Sequence, residues 1–326
     1  MKKIFVLLLV VIVTLGLVAC EAPAGSSGKS GDLITVGFAQ CKADESDWRK
    51  ANTKSVQEAL SNSNGFDLIL ADSNNDAAKQ VSDVQGFIDQ EVDYIIIAAV
   101  NVDGWDTVLK NAKDAGIPVI LMDRTINAGE DLYECWLGSD FYGEGVKATD
   151  WMKTRFVGGT AGNIVHLQGQ LGASAQVGRT EALEDAIAAN GWTLLAQQTG
   201  DWSTDTAKEI TASWIQQFGD DITCVYAEND NMADGAIQAL EEAGKKVGGD
   251  DGVAIISFDA NRAYLQMTLE GKINCNVECN PLHGPKVADI IKSMENGVKP
   301  SKTETVEESA FFYDTITQEI VDARSY

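Results

Sequence analysis

Basic residues are scarce in this chain. Lys and Arg total 25 against 49 Asp and Glu, a formal net charge of −24. That balance excludes nucleic acid or an anionic lipid face as the main partner, because both need basic patches. Histidine is scarcer still: His166 and His283 are the only two, far apart in sequence, and no Cys-x-x-Cys pair occurs. No metal site is expected from such spacing. No G-x-x-x-x-G-K-[ST] loop, G-x-S-x-G elbow or full EF-hand loop is present. ATP hydrolysis, a hydrolase nucleophile and a calcium site are therefore not expected in this chain. Low-complexity runs and heptad repeats are missing from the body of the sequence.

Long apolar runs are also missing, except at the start. Lys2 and Lys3 precede a run from Ile4 to Val18, broken only by Thr14 and Gly16. This suits a signal-peptide core and is short for a membrane span. The run ends Leu17-Val18-Ala19-Cys20 and resembles the bacterial lipoprotein box, which implies that Cys20 becomes the lipidated first residue. A plain signal anchor is the alternative; the position of Cys20 at the end of the run argues against it. Residues 1–20 thus read as a lipoprotein signal peptide and 21–32, EAPAGSSGKSG and one more residue, as a flexible tether. Five cysteines remain: Cys41, Cys135, Cys224, Cys275 and Cys279. An odd number cannot all pair among themselves, and Cys275 and Cys279 on one extended strand are too far apart to bond. Buried free thiols are expected.

What is present is alternation. ITVGFAQ (34–40), FDLILAD (66–72), YIIIAAV (94–100) and PVILMD (118–123) read as strands, separated by helical segments 46–59, 77–90 and 105–115. The strands are almost continuously apolar, as in a parallel sheet covered on both faces. After YECWLGSD (133–140) the pattern restarts with strands at 162–169, 192–201, 222–230, 253–260 and 273–280. The accompanying helices are 141–155, 174–189, 203–217, 231–243, 261–270 and 281–296. The expected fold is α/β: two doubly wound parallel-sheet domains.

In open parallel sheets, ligands bind outside the carboxyl ends of the strands, and here those ends are polar. The first strand leads into Gln40 and then Trp48-Arg49. PVILM ends in Asp123-Arg124, ITCVYA in Glu228-Asn229-Asp230, VAIISF in Asp259, and INCNV in Glu278; Arg179 lies early in helix 174–189. Singly, each has a plain structural explanation: a helix cap for Asp140 or Asp230, a core Trp, a solvated Arg. Together they offer paired acids and guanidiniums with aromatics nearby. A neutral, hydroxyl-rich ligand needs that mixture, and buried charges need such pairing. Gly143-Glu144-Gly145-Val146-Lys147-Ala148 spells G-x-G-x-x-A, but Asp140 reads as the cap, which puts the glycines inside the helix and not at a phosphate-binding turn.

VGFAQ, DRT after PVILM, VYAENDNMADGAIQALEEAG and ISFDA follow in an order and spacing that resemble type I periplasmic-type sugar-binding proteins of ABC importers, the ribose/galactose-binding family. The likeness covers residues 33–326. DWRKANT, DGWDTVLKNAKDAGIPVILMDR, VHLQGQLGASAQVGR and QTGDW are similar, more narrowly, to galactofuranose-binding proteins. The resemblance implies no enzyme activity, no cofactor, and a monosaccharide (galactofuranose or a related aldose) closed on by two lobes joined by a three-strand hinge. It implies sugar contacts at Asp123, Arg124, Arg179, Asn229 and Asp259, further contacts at Trp48, Arg49 and Glu278, and weaker candidates in Phe38 and Trp202. Glu228 stands where the family usually has His or Gln, and Ala260 where it usually has Gly. The implied lobes are 33–139 plus 282–311 and 140–281 plus 312–326, with crossings near 138–141, 280–284 and 310–313. The implied protein is a monomer, anchored through Cys20 outside the cytoplasmic membrane, that docks onto ABC permease subunits. Two rival readings are a sensor presenting sugar or an autoinducer-2-type signal, and a glycoside hydrolase using Asp123 and Asp259. A transcription factor is disfavoured because a leader stands where a DNA-binding domain would be.

Overall fold

The apolar runs become strands and most of the segments between them helices. The computed structural model describes residues 33–157 and 162–326; Cys20, the expected signal peptide and the expected tether lie outside the described residues. The first half runs β1 (Ile34–Gln40), α1 (Asp47–Ala59), β2 (Phe66–Asp72), α2 (Ala77–Asp89), β3 (Tyr94–Ile97), α3 (Asp106–Asp114), β4 (Val119–Met122) and β5 (Cys135–Gly138). The second runs α4 (Phe141–Arg155), β6 (Asn163–Gln168), α5 (Ser174–Asn190), β7 (Thr193–Thr199), α6 (Thr204–Phe218), β8 (Cys224–Ala227), α7 (Asp230–Glu242), β9 (Ala254–Asp259), α8 (Arg262–Leu269) and β10 (Cys275–Glu278). The chain then returns through α9 (Gly284–Glu295), β11 (Thr303–Thr305), β12 (Ala310–Phe312) and α10 (Gln318–Ala323).

The strands form two six-stranded sheets, ordered β11-β5-β4-β3-β1-β2 and β12-β10-β9-β8-β6-β7. All pairings are parallel except β10 with β12. In each sheet the order reverses beside the first strand of its half, β1 or β6. These are the switch points where an open α/β sheet leaves a crevice at its carboxyl edge. Each sheet is covered on both faces. Val36, Phe38, Ile96 and Ile120 line one face of the first, and Ile95, Ile97, Val119 and Leu121 the other. In the second, Val165, Val225 and Ile255 oppose Ile164, Tyr226 and Ile256. That two-sided burial is why the strands read as continuous apolar runs.

The chain passes between the lobes three times. The first passage lies between Gly138 and Phe141 and the second follows Glu278. The third falls between Thr305, paired in the first sheet, and Ala310, paired in the second. The expected position, 310–313, is too late: Ala310 and Phe312 pack on the second lobe's core and Phe311 against Leu265 and Ile316, so residues 310 and 311 belong to the second lobe. Helix α9 returns to the first lobe and packs on α1. Cys41, Cys135, Cys224, Cys275 and Cys279 are buried free thiols. No helix among the described residues is long and apolar enough to cross a membrane.

Candidate functional site

Ser46 caps α1, its Oγ accepting from Arg49 N at 3.1 Å. The cap fixes the first turn so that Trp48 and Arg49 turn inward, and both are buried. Arg49 Nη1 donates to Asn52 Oδ1 at 3.1 Å, Nε faces Glu45 Oε1 at 3.3 Å, and Nη2 pairs with Asp123. Arg124 Nη2 meets the same Glu45 Oε1 at 2.6 Å, and its Nη1 donates to Ala99 O at 3.3 Å. Two guanidiniums thus share two carboxylates, the compensation that buried charge requires. Burial alone would raise the Asp123 carboxyl; the charges of Arg49 and Arg124 override it and hold the group below its ordinary value.

The second lobe repeats the device. Arg179, on α5, donates through Nε to Glu144 Oε2 at 2.7 Å and through Nη1 to Glu228 O, with Asp259 Oδ1 3.8 Å from Nη2. Its guanidinium lies 4.7 Å from the Phe258 ring centre and 5.6 Å from that of Phe141. Burial raises the Asp259 carboxyl well above its ordinary value against the pull of Arg179, and the neighbouring Asp230 and Glu144 carboxyls push the same way. Asp230, fully buried beneath it, is raised to about 7. Asn229 caps α7, Oδ1 accepting from Met232 N at 2.9 Å, while Nδ2 reaches Trp202 O at 3.4 Å.

Three of these residues hold unusual backbone: Asp123 at φ 65°, Trp202 at φ 63° and Asp259 at φ 94°. Each such conformation costs on the order of 1–3 kcal/mol and tends to collect at functional sites. Trp202 also requires Gly169 beneath it, because a Cβ there would overlap the indole ring.

The two rims face each other around about 310 Å³ of space not occupied by atoms, part of it open to solvent. Of the expected residues, Trp48, Arg49, Asp123, Arg124, Arg179, Trp202, Asn229 and Asp259 line this cavity. Phe38 and Glu278 do not. Phe38 is wholly buried in the first lobe's core, on the same face of β1 as Val36. Glu278 is engaged by the end of the chain: Oε1 accepts from Tyr326 Oη at 2.8 Å and pairs with Arg324, and Oε2 accepts from Ser309 N at 3.1 Å. Glu228 points away from the cavity, bonding His166 Nε2 at 2.9 Å, Thr180 Oγ1 at 2.6 Å and Gly169 N at 2.7 Å. Its carboxylate holds the loop under Trp202.

Glu45, Ser46, Phe141, Ala175 and Cys279 also line the cavity and were not singled out as candidates from sequence. Glu45 carried one signal, its place four residues before Arg49. Contacts across the cleft hold the lobes together: Asp47 N donates to Asn231 Oδ1 at 3.1 Å, Asn231 Nδ2 and Tyr264 Oη reach Asp47 Oδ2 at 3.2 and 3.1 Å, and Thr125 N donates to Ser174 Oγ at 3.0 Å. Among the described residues, Glu144, Cys279 and Glu308 form the one group with metal-ligand chemistry, their ligand atoms within 4.8 Å of one another. Arg179 and the donors of Ser139 and Asn280 already occupy two of its carboxylate oxygens.

Residues 36–283 match the periplasmic binding protein domain family. The chain belongs to that family. It is 35% identical over 309 residues to the galactofuranose-binding protein YtfQ of Escherichia coli K12, covering 93% of this chain and 96% of that one. Among solved structures, a galactofuranose-binding protein superposes with a TM-score of 0.84 at 34% identity, over 89% of this chain and 98% of that one. A Mycobacterium smegmatis protein in complex with β-D-fucofuranose superposes with a TM-score of 0.81 at 37% identity, over 86% and 92%. The cavity described above lies at the seam between the two lobes.

Proposed function

We propose that this chain is the extracytoplasmic substrate-binding lipoprotein of an ABC sugar importer and holds one monosaccharide, galactofuranose or a related aldose, between its lobes. One observation carries the reading: each lobe pairs acids with guanidiniums around one cavity at the seam, with Trp48, Phe141 and Trp202 as ring faces. Ionic groups that already balance one another suit a neutral guest, whose hydroxyls take bidentate bonds and whose C–H faces rest on aromatics. Relatives that bind furanose sugars favour the five-membered ring. In this reading Arg49, Asp123, Arg124, Arg179, Asn229 and Asp259 contact hydroxyls, Trp48 and Trp202 contact the ring, Cys20 carries the lipid, and the monomer delivers its sugar to permease subunits.

A thermal-shift screen over pentoses and hexoses tests this. A specific ligand stabilises by mass action, about 2.7 kcal/mol at a hundredfold excess over Kd. We expect a raised Tm with galactose, arabinose or a similar aldose, and loss of the shift in Arg124→Ala and Asp259→Ala. A shift with an amino acid or peptide and none with any sugar would overturn the substrate class. The opposite displacements of Asp123 and Asp259 are the split by which a glycosidase sorts its two carboxyls. Galactofuranosides and related glycosides incubated with the protein are expected to remain intact.

A further inference from the structure

The three passages between the lobes meet at one carboxyl group. Glu308 lies in the third; its Oε1 accepts from Ser139 Oγ of the first at 2.6 Å and from Asn280 N of the second at 2.7 Å. The rest of that carboxyl faces Glu144, in the first turn of α4, with a carboxyl oxygen of each residue within 4.8 Å of the other. Glu144 is fully buried, and its Oε2 is taken by Arg179, the guanidinium that lines the cavity. With both acids ionised, Glu144 Oε1 would be buried without a donor. Two carboxylates would also press together against one guanidinium. One proton removes the repulsion and supplies the missing donor.

We propose that Glu308 keeps a proton that it donates to Glu144 Oε1, and that this pair is the positioning element that sets Arg179 for the ligand and ties it to all three passages of the hinge. The positioning role rests on the sugar-binding reading; the shared proton does not. The other groups facing the pair leave the proton in place. Arg179 on α5 is the cation in contact, and the Lys147 ammonium on α4 binds the Glu308 carbonyl at 2.9 Å. Asp259 at the end of β9 and Cys279 after β10 face it from the second sheet. The Cys279 thiol, raised well above its ordinary value by burial and then by both acids, stays neutral. Burial is the largest cause lifting Glu308 to about 9, with Glu144 next and the Ser139 and Asn280 donors opposing. Glu144 is also raised, by burial, against Arg179. Glu308 is half-buried, so its proton exchanges with solvent.

The sign follows from linkage. A carboxyl whose folded value is raised contributes stability that is fully present below its ordinary 4.5 and is lost as pH rises through the folded value near 9. Glu308→Gln is the discriminating variant. Its amide N–H can replace the O–H donor to Glu144, its amide oxygen keeps the Ser139 and Asn280 bonds, and it does not titrate. Glu308→Ala removes the donor.

The first measurement is ligand-free unfolding of the full chain between pH 5 and 10. The wild-type midpoint is expected to fall with rising pH more steeply than that of Glu308→Gln, and the infrared signature of protonated carboxylic acid at neutral pH to lose one band in the variant. The second is calorimetric titration with D-galactose at mutarotation equilibrium. Wild-type affinity is expected to hold up to about pH 9 and then fall by up to tenfold per pH unit. Glu308→Gln should stay level, and Glu308→Ala should be weaker at every pH. Matching unfolding profiles and unchanged infrared bands in wild type and Glu308→Gln overturn the proton. Diverging profiles with a level wild-type affinity, or Glu308→Ala binding as wild type does, overturn the positioning of Arg179. Diverging profiles with no sugar bound at any pH overturn the sugar reading and leave the hinge proton standing.

Discussion

Glu45 carries the first lobe's half of the cavity. Its Oε1 serves both Arg49 and Arg124, and Oε2 is buried without a partner in the wall of the cavity. Truncating it leaves two buried guanidiniums to share Asp123. Breaking a buried pair by removing one partner costs about 3–5 kcal/mol. Glu45→Ala is therefore expected to destabilise by that amount in urea unfolding and to lose ligand binding; a loss below about 1 kcal/mol would mean that solvent reaches these charges. Glu45 was hard to see in the sequence because it sits in the loop after Gln40, belonging to neither strand nor helix. The eight cavity residues that were legible follow strand ends or begin helices, positions that topology alone brings to one rim. Phe38 was misjudged because a strand alternates faces every residue, and on a sheet covered on both sides hydrophobicity does not mark which face lies under the site. Glu278 does stand at a carboxyl end, as expected, but Arg324 and Tyr326 fold back onto it, and no local pattern announces an ion pair across 46 residues.

Helices α4 and α5 bring Glu144 and Arg179 together, and two glycines set their separation. A Cβ on Gly145 would lie 2.5 Å from the Ala182 Cβ, and one on Gly178 would lie 2.8 Å from the Phe141 Cβ. Neither neighbour is the free end of a flexible chain, so the helices would have to part. The G-x-G-x-x-A spelling thus serves helix packing: Asp140 caps α4 through Gly143 N at 2.9 Å, and Gly145 faces α5. Overpacking of this kind costs typically about 1–3 kcal/mol. Gly145→Val is expected to lose that much stability and, by drawing Glu144 off Arg179, to weaken ligand binding disproportionately. Equal affinity in a destabilised variant would show that the Glu144–Arg179 pair survives the shift. At this scale the sequence was most legible where runs were long and apolar, as in β1, β3 and β4. It was least legible in β11 and β12, three residues each and half exposed, where sheet membership is decided by where Phe311 and Phe312 pack.

Contacts outside the cavity wall add to those that Trp48 and Arg124 make between the lobes. Asp47, in the first turn of α1, receives hydrogen bonds from Asn231 and Tyr264 of the second lobe. Burial would raise its carboxyl, but Lys50 and then the Tyr264 and Asn231 donors hold it below the ordinary 3.8. The contribution to closure is therefore present at neutral pH and is lost only as pH falls through that lowered value. These bonds cross the cleft, so they belong to the closed arrangement and vanish when the lobes part; a contact made in one state alone shifts the equilibrium between the two. Asp47→Ala removes both side-chain bonds and leaves every group of the cavity wall in place. At about 0.5–1.5 kcal/mol per hydrogen bond, the closed form loses roughly 1–3 kcal/mol. Ligand affinity is expected to fall about 5- to 150-fold, almost wholly through faster release, since encounter precedes closure. Stopped-flow binding and release rates separate the two: a slower association with unchanged release would place Asp47 in the encounter and not in the latch. Small-angle scattering of the sugar-loaded variant should show a larger open fraction than the loaded wild type at the same sugar concentration.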